Sequence, residues 1–197
     1  MSMITPRRLL LDNGDTVVIR NPIRGDASGF VEIMRSVASE GRYTLAEVDE
    51  VDWTIPIKRA DIDEHNQSAG YLALVAEGRG IPVGFLEFEN GGRRRTQHVG
   101  IFSIFISRDW RGKGVGSTLI KTLLDWATAH PVIEKVTLEA FATNKRAIAL
   151  YEKFGFQVEG RCQRDIKVGG KVGGLYIDSL LMYKFVKPFS VGGKSGT

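Results

Sequence analysis

Between Ile104 and Ser117 the chain reads Ile104-Phe105-Ile106-Ser107-Arg108-Asp109-Trp110-Arg111-Gly112-Lys113-Gly114-Val115-Gly116-Ser117. An apolar strand, a short loop and then alternating glycines open an amphipathic helix. Glycine lets the backbone turn sharply and lets an anion approach its N–H groups with no Cβ in the way. A helix start adds unpaired donors and the positive end of the helix dipole. Arg111 and Lys113 add full charges, and together these features predict a pyrophosphate cradle. Two other glycine motifs fail here. A dinucleotide fingerprint requires a glycine where Ser117 stands. A nucleotide P-loop requires Gly-Lys followed by Ser or Thr, whereas Lys113 is followed by Gly114. The tail Gly193-Lys194-Ser195 imitates a P-loop end, but Pro188 occupies its first glycine position.

A second segment runs Leu138-Glu139-Ala140-Phe141-Ala142-Thr143-Asn144-Lys145-Arg146-Ala147-Ile148-Ala149-Leu150-Tyr151-Glu152-Lys153-Phe154-Gly155-Phe156. The pair formed by Arg-x-x-Gly-x-Gly at 111–116 and Asn144…Ala147…Leu150-Tyr151-Glu152-Lys153-Phe154-Gly155-Phe156 resembles the two central motifs of the GNAT superfamily of N-acetyltransferases, in the same order and at the same separation. The resemblance spans roughly 17–185 and is strongest over 104–156. It implies a GNAT fold of the α/β class: a mixed, mostly antiparallel sheet of six to seven strands, splayed at the centre near Ile106 and Leu138, with about four helices. It also implies acetyl-CoA as cosubstrate and no metal. The backbone of Ile104, Phe105 and Ile106 would pair with the pantetheine amides. Arg111, Gly112, Lys113, Gly114, Val115, Gly116 and Ser117 would hold the pyrophosphate, and Asn144 would cap the second helix and meet the pantetheine arm. Tyr151 would protonate the departing thiolate. Glu139 stands where N-terminal acetylases of this superfamily carry a base, and a base is needed because a protonated amine has no lone pair. A solvent-facing strand carboxylate is the alternative reading for Glu139, and a core tyrosine for Tyr151. The acceptor implied is a small-molecule amine or amino acid; a peptide N-terminus and a non-catalytic CoA-binding module are the alternatives. Homodimers also occur in the superfamily.

These residues need elements to position them. Thr16 to Arg20 predicts a strand ended by Asn21-Pro22. Phe30, Val31, Ile33, Met34 and Val37 recur at helical spacing, with Asp26 or Ser28 as cap. The acid-rich stretch 40–68 predicts loop plus a second helix. Tyr71 to Ala76 and Val83 to Phe88 form a hairpin around Gly78-Arg79-Gly80, and Asn90-Gly91-Gly92 leads into a third strand, His98 to Ser107. Val115, Leu119, Ile120, Leu123, Leu124 and Ala127 form one helical stripe, stopped by His130-Pro131. A strand over 135–141, a helix over 144–154 with a left-handed stop at Gly155, and strands near 156–161 and 176–185 complete the order. The insert Lys171-Val172-Gly173-Gly174 stands where acceptor pockets form in the superfamily.

Composition sets the outer bounds. The chain has 197 residues with 43% hydrophobic content, enough for one cored domain. We expect an N-terminal extension over 1–13, the catalytic domain over 14–187 and a flexible tail over 188–197. A net charge of +4 requires no nucleic-acid partner. No apolar run reaches the length of a membrane span. Cys162 is the one cysteine, so no intramolecular disulfide forms, which fits a cytoplasmic protein. Arg93-Arg94-Arg95 reads as a solvated turn, and His98 as a residue that pairs across the sheet.

Overall fold

The computed structural model describes residues 3–47, 49–50, 54–169 and 174–188. Trp53, the insert residues Lys171, Val172 and Gly173, and the Gly193-Lys194-Ser195 tail lie outside the described residues. The strands are β1 (Arg7–Leu10), β2 (Thr16–Arg20), β3 (Tyr71–Gly78), β4 (Ile81–Asn90), β5 (Val99–Ile106), β6 (Lys135–Phe141), β7 (Gln157–Val168) and β8 (Leu175–Phe185); the helices are α1 (Ala27–Ser39), α2 (Ile55–Gln67), α3 (Val115–Ala129) and α4 (Lys145–Lys153). All eight strands join one sheet in the order β1-β2-β3-β4-β5-β6-β8-β7. Among the described strands, β5–β6 alone is parallel.

The sheet has one strand more than the six to seven expected. Arg7–Leu10, read from sequence as part of an extension, pairs antiparallel with β2, with Leu9 opposite Val17. Two adjacent arginines and a run of three leucines hide the alternation of a four-residue edge strand. The β3–β4 hairpin turns on Arg79 and Gly80, at φ 55° and 78°; two successive positive φ values suit the twist of the strands it joins.

Helices α3 and α4 cover one face. Val115, Leu119, Ile120, Leu123, Leu124 and Ala127 of α3 are all buried, as the stripe predicts. They pack with Leu72, Leu74, Leu86, Phe102, Val136, Leu138, Ile148 and Tyr151 in one apolar core. On the other face a smaller cluster joins Ile33 and Val37 of α1 to Phe85, flanked by Phe30, Met34 and Phe105. Helix α2 buries only Ile62.

The feature that positions the site is where β5 and β6 part. Their pairing runs Val99↔Lys135, Gly100↔Val136, Ile101↔Thr137 and then stops. β5 continues along β4 to Ile106, and β6 continues along β8 to Phe141. The sheet therefore opens into a V between residues 102–106 and 138–141, at the splay the sequence places near Ile106 and Leu138.

Candidate active site

The backbone edge facing this V follows from hydrogen-bond phase. Ser107 N–H donates to the Val83 carbonyl at 2.9 Å, and the His98 carbonyl accepts from Glu134 and Lys135 N–H at 2.8 and 3.1 Å. Antiparallel partners alternate, so odd positions of β5 turn their backbone groups to β4 and even positions turn theirs toward β6. With β6 gone beyond Ile101, the N–H groups of Ile104 and Ile106 face the cleft. On the far edge, Ala142 N–H donates to Asp178 of the β8 side. The odd positions of β6, Glu139 among them, therefore turn their backbone groups to the cleft. Two strand edges with free amides, one strand apart, are a berth for an extended, amide-bearing chain.

The glycine loop closes one end of this berth. Gly112 and Gly114 have φ of 80° and 87°, a region in which a side chain is strained. Gly114 is the cap residue of α3 and offers no side chain. The first helical bond comes from Thr118 N–H to the Gly114 carbonyl at 3.0 Å. Among the described residues, the N–H groups of residues 112–117 have no backbone partner, which leaves a ring of donors at a helix start. A Cβ on Gly116 would stand 3.0 Å from Ile106 Cδ1 and 3.4 Å from Leu150 Cδ2, so this glycine lets α3 sit close to β5 and α4.

Two residues without an assigned role in the sequence hold the loop. The Trp110 ring lies on Gly78, where a Cβ would come within 2.5 Å of it; Lys113 Nζ lies 5.6 Å from the same ring. Glu40, at the end of α1, binds both terminal nitrogens of Arg111 at 2.7 and 2.8 Å, while Arg111 Nε donates to the Ile106 carbonyl at 2.8 Å. Arg111, expected from the sequence to add a full charge to the cradle, is thus paired with Glu40 and also ties the loop to the end of β5. The Arg111 hydrogen bonds hold the Glu40 carboxyl below its usual range. A second guanidinium, that of Arg146 on α4, lies against Gly112, 3.1 Å from where a Cβ would be. Its place in the first turn after Asn144 was the available sequence signal.

Asn144 caps α4, its Oδ1 accepting from Ala147 N–H at 3.2 Å. Gly155, at φ 80°, ends that helix as expected. Tyr151 is 8% exposed, packed edge-on to Phe102 and Phe156 at centroid distances of 5.9 and 6.2 Å. Burial pushes its phenol up to about 12. No hydrogen bond engages its hydroxyl among the described residues, yet none of their sealed side-chain oxygens lacks a partner. The hydroxyl is therefore not completely sealed, although the ring is buried. Glu139 is exposed. Val136, Leu138 and Ala140 are buried in the α3–α4 core, so alternation puts Glu139 on the opposite face from Tyr151. The Tyr151 phenol thus lies on one face of the sheet and the Glu139 carboxylate on the other.

His98 and Arg93-Arg94-Arg95 lie apart from this constellation: His98 pairs its carbonyl across the sheet, and the arginines are exposed at a turn. Cys162 is a free thiol on β7.

The acetyltransferase (GNAT) family pattern fits residues 36–156, more than half of the chain. The sequence is 30% identical to L-amino acid N-acetyltransferase AaaT of Escherichia coli K12 over 113 residues, 57% of this chain and 67% of that protein. It is 27% identical to spermidine N(1)-acetyltransferase of the same organism over 153 residues, 76% and 78% of the two chains. Among solved structures, the GNAT-family acetyltransferase of Streptococcus pneumoniae matches with a TM-score of 0.80 at 27% identity, over 86% of this chain and 99% of that one. A forked sheet, a glycine-framed helix start and an incompletely sealed tyrosine thus come with both sequence and fold similarity: the chain belongs to the GNAT family of acetyltransferases and is an N-acetyltransferase that uses acetyl-CoA.

Proposed function

We propose that the enzyme acetylates the primary amine of a small molecule or amino acid by direct attack, with donor and acceptor bound together. The observation that carries this reading is the placement of Tyr151 and Glu139 on opposite faces of the forked sheet. When bound, acetyl-CoA supplies an activated thioester carbonyl. The cradle at 112–117 holds its pyrophosphate through backbone N–H groups, with Lys113 and Arg146 as free charges. The edge N–H groups of Ile104 and Ile106 align the pantetheine arm beside Phe105, and Asn144 marks its far limit. Ile106 N–H is also our donor for negative charge developing on the carbonyl oxygen. Glu139 takes the proton from the incoming ammonium, directly or through water. Tyr151, protonated at neutral pH like any phenol, supplies a proton to the leaving sulfur. Acid and base on opposite faces suit a single displacement without a covalent enzyme intermediate.

The small-acceptor reading draws on the L-amino acid and spermidine acetylating relatives. Exposed Glu139 on β6 favours a second reading, acetylation of a peptide N-terminus. Thiol release from acetyl-CoA against amino acids, polyamines, aminoglycosides and short peptides tests both. Turnover of amino acids or small amines supports the first, turnover of peptides alone supports the second, and tight CoA binding without turnover contradicts both.

A further inference from the structure

On the α1 face of the sheet, one row of polar side chains runs level with the fork. Glu87 of β4 pairs in register with Ser103 of β5. The parallel pairing of β5 with β6 ends at Ile101↔Thr137, so two residues further on Ser103 and Glu139 stand across the opening from each other. Their neighbours Leu86, Phe102 and Leu138 are buried in the α3–α4 core, and alternation therefore puts Glu87, Ser103 and Glu139 together on the other face. Ser103 and Glu139 are exposed.

Lys58 of α2 brings a cation to the β4 end of this row. Its Nζ lies 2.7 Å from Glu87 Oε1 and 3.4 Å from the Phe30 ring centroid, and its side chain is 12% exposed. A lysine ammonium carries three donors, and among the described residues Glu87 is its one hydrogen-bond partner. Glu87 is also engaged by the buried Tyr71 phenol, so this carboxylate does not depend on Lys58 alone. From α2 toward β6 the row reads cation, paired carboxylate, hydroxyl, unpaired carboxylate. Strands β4 and β6 are two strand spacings apart, about 9.6 Å. Two hydrogen bonds of about 3 Å each and the short body of an α-amino acid fill that span.

We propose that the acceptor is an α-amino acid and that Lys58 is the residue that selects it. A free donor of its ammonium binds the carboxylate beside the reacting amine, while the amine lies over Ser103 and faces Glu139. This rests on the acetyl-transfer reading for the reaction itself and narrows its acceptor. A polyamine would bring a second ammonium up to Lys58 and be repelled. An amino-acid amide or a peptide N-terminus has no carboxylate next to its amine and forgoes the contact.

Steady-state kinetics on a set of α-amino acids and their carboxamides tests this. For the wild type the expected amino-acid KM is lower than the amide KM by roughly tenfold or more, the size of one hydrogen bond between charged groups. Lys58→Met should raise the amino-acid KM by about that factor and leave the amide and acetyl-CoA KM values unchanged, so that the amide reports a folded enzyme. Lys58→Arg should restore the preference for the free acid. Equal KM values for acid and amide in the wild type, an equal rise of both in Lys58→Met, or turnover of polyamines or peptides alone overturns the assignment of Lys58. A wild-type enzyme that binds CoA but acetylates no amine overturns the acetyl-transfer reading instead. Calorimetric binding of an amino acid to the CoA-loaded wild type and to CoA-loaded Lys58→Met then still decides Lys58: tighter binding by the wild type supports it, and equal binding or none contradicts it.

Discussion

The two faces of the sheet are held by different physics. On the donor side α3 is anchored by apolar burial: Val115, Leu119, Ile120 and Leu123 are at most 1% exposed, and Gly116 brings the helix onto β5 and α4. On the opposite face of the sheet α2 is fastened mainly by polar and ring contacts. Lys58 pairs with Glu87 at 2.7 Å and lies 3.4 Å from the Phe30 ring centroid. His65 stacks on Tyr71 at 3.8 Å, and Asn66 donates to the Pro22 carbonyl at 2.9 Å. A pyrophosphate cradle needs a fixed backbone, and close packing supplies it. Polar fastenings can be exchanged one at a time without repacking a core, so the α2 face can vary while the cradle stays constant.

Substitutions at the seam between the two sides should have the largest effect. Tyr151→Phe removes the proton on the α4 face and should lower kcat by roughly 100-fold or more, with the acetyl-CoA KM unchanged. The pH profile sharpens this. A free phenol ionises near 10, whereas Tyr151 is raised to about 12. The wild type should therefore lose no turnover through Tyr151 up to about pH 10. The stability that its buried neutral form contributes is fully present below about pH 10 and declines as the pH rises toward 12.

Glu139→Gln should lower kcat by roughly 100-fold at neutral pH. That deficit should shrink as the pH rises, because the amine then loses its proton to solvent. A deficit independent of pH would remove Glu139 as the base.

Two further changes separate the sides. Gly114→Val forces a branched side chain into the left-handed region, at a cost of about 1–2 kcal/mol, and should weaken CoA binding by roughly 10- to 30-fold in calorimetry. Lys58→Met leaves Glu87 half-buried without its cation and should cost about 1–3 kcal/mol in denaturant unfolding, while CoA affinity holds. Loss of CoA binding in Lys58→Met would show that the two sides are not independently held.

This division also separates what the sequence revealed from what it hid. The donor side is local in the chain: strand, glycine loop and α3 occupy consecutive residues, and α4 with its Asn144 cap and Gly155 stop follows one strand later. Period and turn chemistry suffice to find them. The contacts that brace the site depend on pairs far apart. Glu40 meets Arg111 across 71 residues, and no periodicity announces that pair. Tyr43 and Phe141 meet only because the sheet forks between them. β1 was hidden because an edge strand of four residues needs a partner to be recognised. β7 runs on to Val168 because register shifts at Val158/Gly160 and Cys162/Ile166 carry it past the predicted end at 161.

The central claim is that the free backbone amides of the β5 edge and the 112–117 loop receive acetyl-CoA. Backbone amide chemical shifts of the isotopically labelled protein, recorded during CoA titration, test it residue by residue. The account predicts the largest shifts at Ile104, Ile106 and residues 112–117, with β1 and β2 unmoved. Saturable binding that leaves those amides in place would contradict it.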